Sequence, residues 1–94
     1  MAQLFIRHKV KDYAKWKPLF DEHGAKRKAA GCKGGRLFRS EKDPNEVVIL
    51  GEYEDEEKAR QMFQSQEFRD ATKRAGVVGM PDVAFLTQVV DLPA

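Results

Sequence analysis

Apolar and polar residues alternate at the start of the chain. Leu4, Ile6, His8 and Val10 fall on one side of an extended segment, and Phe5, Arg7 and Lys9 on the other. The period then lengthens. Asp12 stands where a helix N-cap would, and Tyr13, Trp16, Phe20, His23 and Arg27 follow on one helical stripe flanked by Leu19 and Ala30. Pro18 lacks an N–H, so the spacing predicts a short first turn through Trp16 and a main helix with Pro18 near its start. Gly31 ends it.

A short strand is expected over Leu37–Ser40, and Asp43-Pro44-Asn45 reverses the chain. Glu46–Tyr53 is the clearest strand. Asp55 caps a second helix with Ala59, Met62 and Phe63 on its apolar face. Ser65 then recaps a helical piece carrying Phe68, Ala71, Thr72 and Ala75. Gly76–Pro81 reads as a loop and Asp82–Val90 as the last strand. Gly34-Gly35 reads as strand flexibility near a close approach.

The order β-α-β-β-α-β predicts an α+β domain over residues 1–94, with an antiparallel ferredoxin-like sheet and both helices on one face. Val10 leads directly into the capped helix, so its face, shared with Ile6 and His8, is assigned to the helices. The third strand is apolar on both sides, Val47 and Ile49 against Val48 and Leu50. The last repeats this with Val83 and Phe85 against Ala84 and Leu86. Helices cover one face only, so the other should be buried by a second copy in a symmetric homodimer.

Composition excludes several functions. Seventeen basic and 15 acidic side chains give a net charge of +2 and are interspersed. That mixture lacks the gathered basic face a nucleic-acid partner needs, and Lys26-Arg27-Lys28 reads as a solvated helix face. RNA-binding domains of the same strand order present stacked aromatics on strands one and three, whereas the third strand here is aliphatic and acidic. The amino terminus is too charged for a signal peptide, and no apolar run approaches a membrane span. A cytoplasmic protein is the expectation. Cys32 is the single cysteine, which excludes an internal disulfide and an all-cysteine metal site.

The candidate chemistry is sparse. His8, on the helix-facing side of the first strand, is the best acid–base group, because an imidazole titrates near neutrality. His23 and Arg27, one turn apart, could hold an anionic or enol-like oxygen, and the Tyr53 phenol could donate to a ligand carbonyl. Trp16, Phe20, Phe63, Phe68 and Phe85 could line a pocket for a flat aromatic ligand. Each also has a purely structural role open to it as core filler or as a packed stem with a wet tip. His8 and His23 lack the carboxylate or cysteine spacing of a zinc or iron site, so no metal is expected.

Taken together, Asp12-Tyr13, Trp16, Phe20, Gly31, Gly34-Gly35 and Phe38-Arg39, then Asp43-Pro44-Asn45-Glu46, Phe63, Ser65, Phe68, Gly76-Val77 and Pro81, resemble the dimeric α+β barrel superfamily in its antibiotic biosynthesis monooxygenase-like branch. The resemblance covers nearly the whole chain. It implies a dimeric α/β barrel with a pocket in each monomer between helices and sheet, and an oxygenase, isomerase or cyclase-like activity without bound cofactor. Haem-degrading members are similar around Met62-Phe63-Gln64-Ser65 but carry tryptophan at the Met62 position. Their haem-ligating histidine falls on Thr72, and their first-strand asparagine falls near His8. Haem degradation is therefore not implied, and Asn45, the sole asparagine, lies in a turn and gives no support to quinone oxygenation. Two readings remain: an enzyme acting on an aromatic or enolic small molecule, and a non-catalytic small-molecule-binding or stress-associated module. Titratable groups gathered in an open cavity favour the first.

Overall fold

In the computed structural model, which describes residues 2–93, eight elements follow one another. They are β1 (Ala2–Val10), α1 (Tyr13–Glu22), α2 (Gly24–Ala29), β2 (Cys32–Arg39), β3 (Glu46–Tyr53), α3 (Glu56–Gln64), α4 (Gln66–Arg74) and β4 (Val77–Leu86). The strands form one antiparallel sheet in the order β2-β3-β1-β4. The β-α-β-β-α-β order is as expected, with each helical stretch realised as a pair of helices.

Strand parity decides what lies beneath the helices. Leu4, Ile6, His8 and Val10 are buried, whereas Arg7 and Lys9 are exposed. Ile6 stands opposite Ile49, and His8 opposite Val47. Two small cores result. Leu4, Ile6, Tyr53 and Ala59 form one with Met62 and Phe63 packed on it, and Val10, Trp16 and Val47 form the other with Tyr13 and Phe20.

Caps set the helix starts. The Asp12 carboxylate accepts from the Ala14 amide at 2.9 Å, and Asp55 accepts from Glu57 and Lys58 at 2.9 and 3.3 Å. Ser65 does two things at the α3–α4 junction. Its Oγ accepts from the Phe68 amide at 3.1 Å and donates to the Met62 carbonyl at 2.6 Å. Asn45 ties the β2–β3 turn to the α1 start. Its Oδ1 accepts from the Tyr13 amide at 3.0 Å, its carbonyl accepts from the Val10 amide at 2.8 Å, and its Nδ2 donates to the Lys11 carbonyl at 3.5 Å.

Three boundaries differ from expectation. The first helix does not pause at Pro18. It runs through to Glu22 and breaks at His23, whose carbonyl accepts from both Lys26 and Arg27 at 3.1 Å. Pro18 withholds one bond from the Ala14 carbonyl, but both residues are exposed, so water can serve that carbonyl. β2 begins at Cys32 rather than Leu37. Gly34, at φ +139°, marks a register shift, and a Cβ on Gly35 would lie 2.3 Å from the Leu50 carbonyl oxygen. Only glycine lets the two strands approach so closely. β4 covers Val77–Leu86 rather than Asp82–Val90, because an irregularity opposite Arg7–Lys9, with Gly79 at φ +73°, carries the expected loop into the strand.

The sheet's other face carries Phe38, Val78 and Leu86, each about half exposed, with half-buried Phe5, Val48, Leu50 and Ala84 between them. Arg7 pairs with Asp82 at 3.1 Å on that face.

Candidate functional site

A cavity of about 120 Å³ opens between the sheet and the two helix pairs. Its floor is the buried side of two strands, with Leu4, Ile6 and His8 from β1 and Ile49, Gly51 and Tyr53 from β3. One wall is Trp16, Leu19 and Phe20 from α1 with Arg27 from α2. The other is Met62 and Phe63 from α3 with Phe68, Ala71 and Thr72 from α4. Gly51 matters to the floor, since a Cβ there would stand 3.0 Å from the Tyr53 ring.

The helical stripe makes one wall a run of touching rings. His8 meets Trp16 edge-on at 5.6 Å between centroids, Trp16 stacks on Phe20 at 4.8 Å, and the Arg27 guanidinium lies over the Phe20 face at 3.8 Å. On the opposite wall the Ser65 junction brings Phe63 and Phe68 edge to face at 4.8 Å, and Tyr53 meets Phe63 at 6.1 Å. Lys26 pairs with Glu67, joining α2 to α4 at the rim. A second, charged cleft shares His23, Lys26 and Glu67 with the cavity and adds Glu22, Asp70 and Arg74.

Burial tunes the titratable groups. His8 is 9% exposed, and among the described residues its buried Nδ1 has no hydrogen-bond partner. Desolvation lowers its pKa below 6.5, with the Lys9 backbone acting the other way, so the imidazole is neutral at pH 7. Burial raises the Tyr53 pKa; neighbouring Cys32 adds to the shift and Arg27 opposes it. The phenol therefore stays a donor. Burial lowers the Arg27 pKa, with Tyr53, Cys32 and Asp21 in opposition. His23 is lowered by slight desolvation and by its cationic neighbours Lys26, Arg74 and Arg27.

Eight of the nine residues singled out from sequence, namely His8, Trp16, Phe20, His23, Arg27, Tyr53, Phe63 and Phe68, line the cavity together. Phe85 does not. It packs against the Leu4 and Ile6 core, with the Arg60 guanidinium 4.3 Å over its ring. It stands opposite Leu4 on the edge strand β4, away from the α1 wall. Sequence reasoning missed Ile49, which shares a face with Val47. It also missed Met62 and Thr72 as lining residues, although both mark positions where the haem-degrading proteins differ. The Thr72 hydroxyl donates to the Arg69 carbonyl at 2.9 Å. Among the described residues no group of three or more histidine, cysteine or carboxylate side chains could hold a metal ion. None of their helices is long and apolar enough to cross a membrane.

Comparison with known proteins places the geometry. A family model described as antibiotic biosynthesis monooxygenase matches residues 3–74. A crystal structure of an antibiotic biosynthesis monooxygenase is similar at 21% identity and TM-score 0.72, covering 96% of this chain and 100% of that one. SnoaB, a cofactor-independent oxygenase from Streptomyces nogalater, is similar at 18% identity and TM-score 0.77, covering 99% and 97%. Rv0793 from Mycobacterium tuberculosis follows at 14% identity and TM-score 0.70, covering 98% of each chain. No curated protein matches by sequence. At these identities the structures speak for the fold.

Proposed function

The chain belongs to the antibiotic biosynthesis monooxygenase family, and on that premise we propose that it is a homodimeric enzyme acting on an aromatic or enolic small molecule, without a bound metal, with His8 as general base. The observation that carries this reading is the His8 imidazole on the floor of an apolar cavity, neutral at pH 7, with an Nδ1 that no group among the described residues hydrogen-bonds. A polar atom left so in a packed core costs roughly 1–3 kcal/mol, and a ligand hydroxyl would relieve that cost.

The chemistry asked of the site is small. The imidazole takes the proton from a phenol or enol and becomes imidazolium, leaving the ligand as its phenolate or enolate. The Tyr53 phenol, held protonated by burial, can donate to an oxygen of that anion. Trp16, Phe20 and Phe63 offer faces and edges to a flat ring. The activated anion can then isomerise, cyclise or react with dioxygen. The gathering of titratable groups in one cavity favours an enzyme over a passive binding module. Support for the dimer comes from the apolar sheet face carrying Phe38, Leu50 and Leu86.

A screen of phenols, hydroquinones and enolisable diketones, followed by absorbance and oxygen consumption, tests the reading. Turnover is expected in the wild type, falling at least about a hundredfold in His8→Leu. Equal turnover in the folded variant would remove His8 from the mechanism.

A further inference from the structure

Arg27 is a cation that feels the Asp21 carboxylate only at a distance, since Asp21 is engaged by Lys17. Among the described residues its side chain makes no ion pair with a carboxylate and no hydrogen bond, whereas neighbouring Lys26 is paired with Glu67. It is half-buried, lines the cavity, and has its guanidinium carbon 3.8 Å over the Phe20 ring. A guanidinium in that state has given up hydration with only a ring face in return, and its donors are free to form a planar fork for a carboxylate. His8 and Arg27 stand at the two ends of the chain of contacts His8–Trp16–Phe20–Arg27. The volume limits the ligand to one ring, since a dry cavity of about 150 Å³ takes up benzene and this one is about 120 Å³, so a carboxylate on that ring has to reach the open rim.

We propose that the cavity selects a single-ring hydroxyarene bearing a carboxylate, with the hydroxyl directed to His8 and the carboxylate held by Arg27. This rests on the reading of the cavity as a ligand site and adds a charge requirement to it. Lys26 is engaged by Glu67, and Glu67 repels a carboxylate from its own side of the rim, which leaves Arg27 as the anion's partner.

The test compares phenol with 4-hydroxybenzoate. Binding is followed by the fluorescence of Trp16, the chain's single tryptophan, in wild type, Arg27→Met and Arg27→Lys. In the wild type 4-hydroxybenzoate is expected to bind at least about tenfold more tightly than phenol. The preference, read as the ratio of the two affinities, should vanish in Arg27→Met. Arg27→Lys, a point charge without the fork, should keep part of it. Equal affinities in the wild type, or a preference that survives Arg27→Met, would overturn the carboxylate site and leave the cavity reading standing. Failure of both probes to bind would overturn both. Should Arg27→Met not fold, Arg27→Gln serves, with a circular dichroism spectrum as the check.

Discussion

Replacing His8 by leucine should make this protein more stable, and the reasoning is quantitative. Leucine is close in size and suits a strand position between Arg7 and Lys9. It removes a buried Nδ1 that has no partner among the described residues, a penalty of about 1–3 kcal/mol. It also gives up the edge contact of the imidazole on Trp16 at 5.6 Å, worth about 0.5–1.5 kcal/mol. The balance is a gain of about 1 kcal/mol at pH 7.5, which for a domain of this size is a rise of roughly 4–8 °C in Tm.

The pH dependence sharpens the case. Burial holds the folded pKa of His8 below 6.5, so in the window just below 6.5 the unfolded chain binds more protons than the folded one. Wild-type stability therefore falls as pH drops through that window. At pH 5.5 the further advantage of the variant is at most about 1.4 kcal/mol. Urea denaturation of both proteins at pH 7.5 and 5.5 measures each quantity, and His23, present in both, cancels. A His8→Leu variant less stable than wild type at both pH values would show a satisfied structural histidine. An unchanged difference between the two pH values would refute the desolvation reasoning.

Two further outcomes are expected. Gly35→Ala should lower stability by about 1–3 kcal/mol, because the new methyl meets the Leu50 carbonyl oxygen at 2.3 Å and β2 must move off β3; Gly24→Ala, whose Cβ meets only Arg27 Nη2 at 3.6 Å, is the control. Equal urea midpoints for the two alanine variants would contradict the close approach. Leu50→Asp puts a charge in the apolar sheet face and should raise the dimer dissociation constant by on the order of a hundredfold or more, read by sedimentation. A wild-type monomer at about 100 µM would end the dimer proposal.

What could be read in the sequence followed from strict periodicity or a single cap. Alternation from Leu4 to Val10 put His8 beneath the helices, and Asp12, Asp55 and Ser65 marked three helix starts that the hydrogen bonds reproduce. The misread segments had no such signal. Gly34-Gly35 and Gly79 carry no side chain to alternate, so the register shifts that extend β2 and β4 left no trace in hydrophobicity. Phe85 looked like a pocket residue because aromatic character is visible in a sequence, and the place of its strand at the sheet edge is not. The break at His23 was hidden for a different reason. Pro18 looked like the stronger interruption, yet an exposed carbonyl made its missing bond cheap, and the chain turned where a glycine follows a histidine.

Asn45 has a consequence for how this cavity could change over generations. It stands outside the cavity lining, yet it clamps the Tyr13 amide and the Lys11 carbonyl from a hairpin tip 32 residues away from the helix it holds. The helix so pinned carries Trp16 and Phe20, which makes position 45 a tuning screw set outside the chamber it adjusts. Aspartate there would keep the acceptor for Tyr13 and lose the donor to Lys11, slackening one thread of the screw while the other stays tight. Lineages of this protein could thus alter which rings fit without exchanging any residue that a ligand touches.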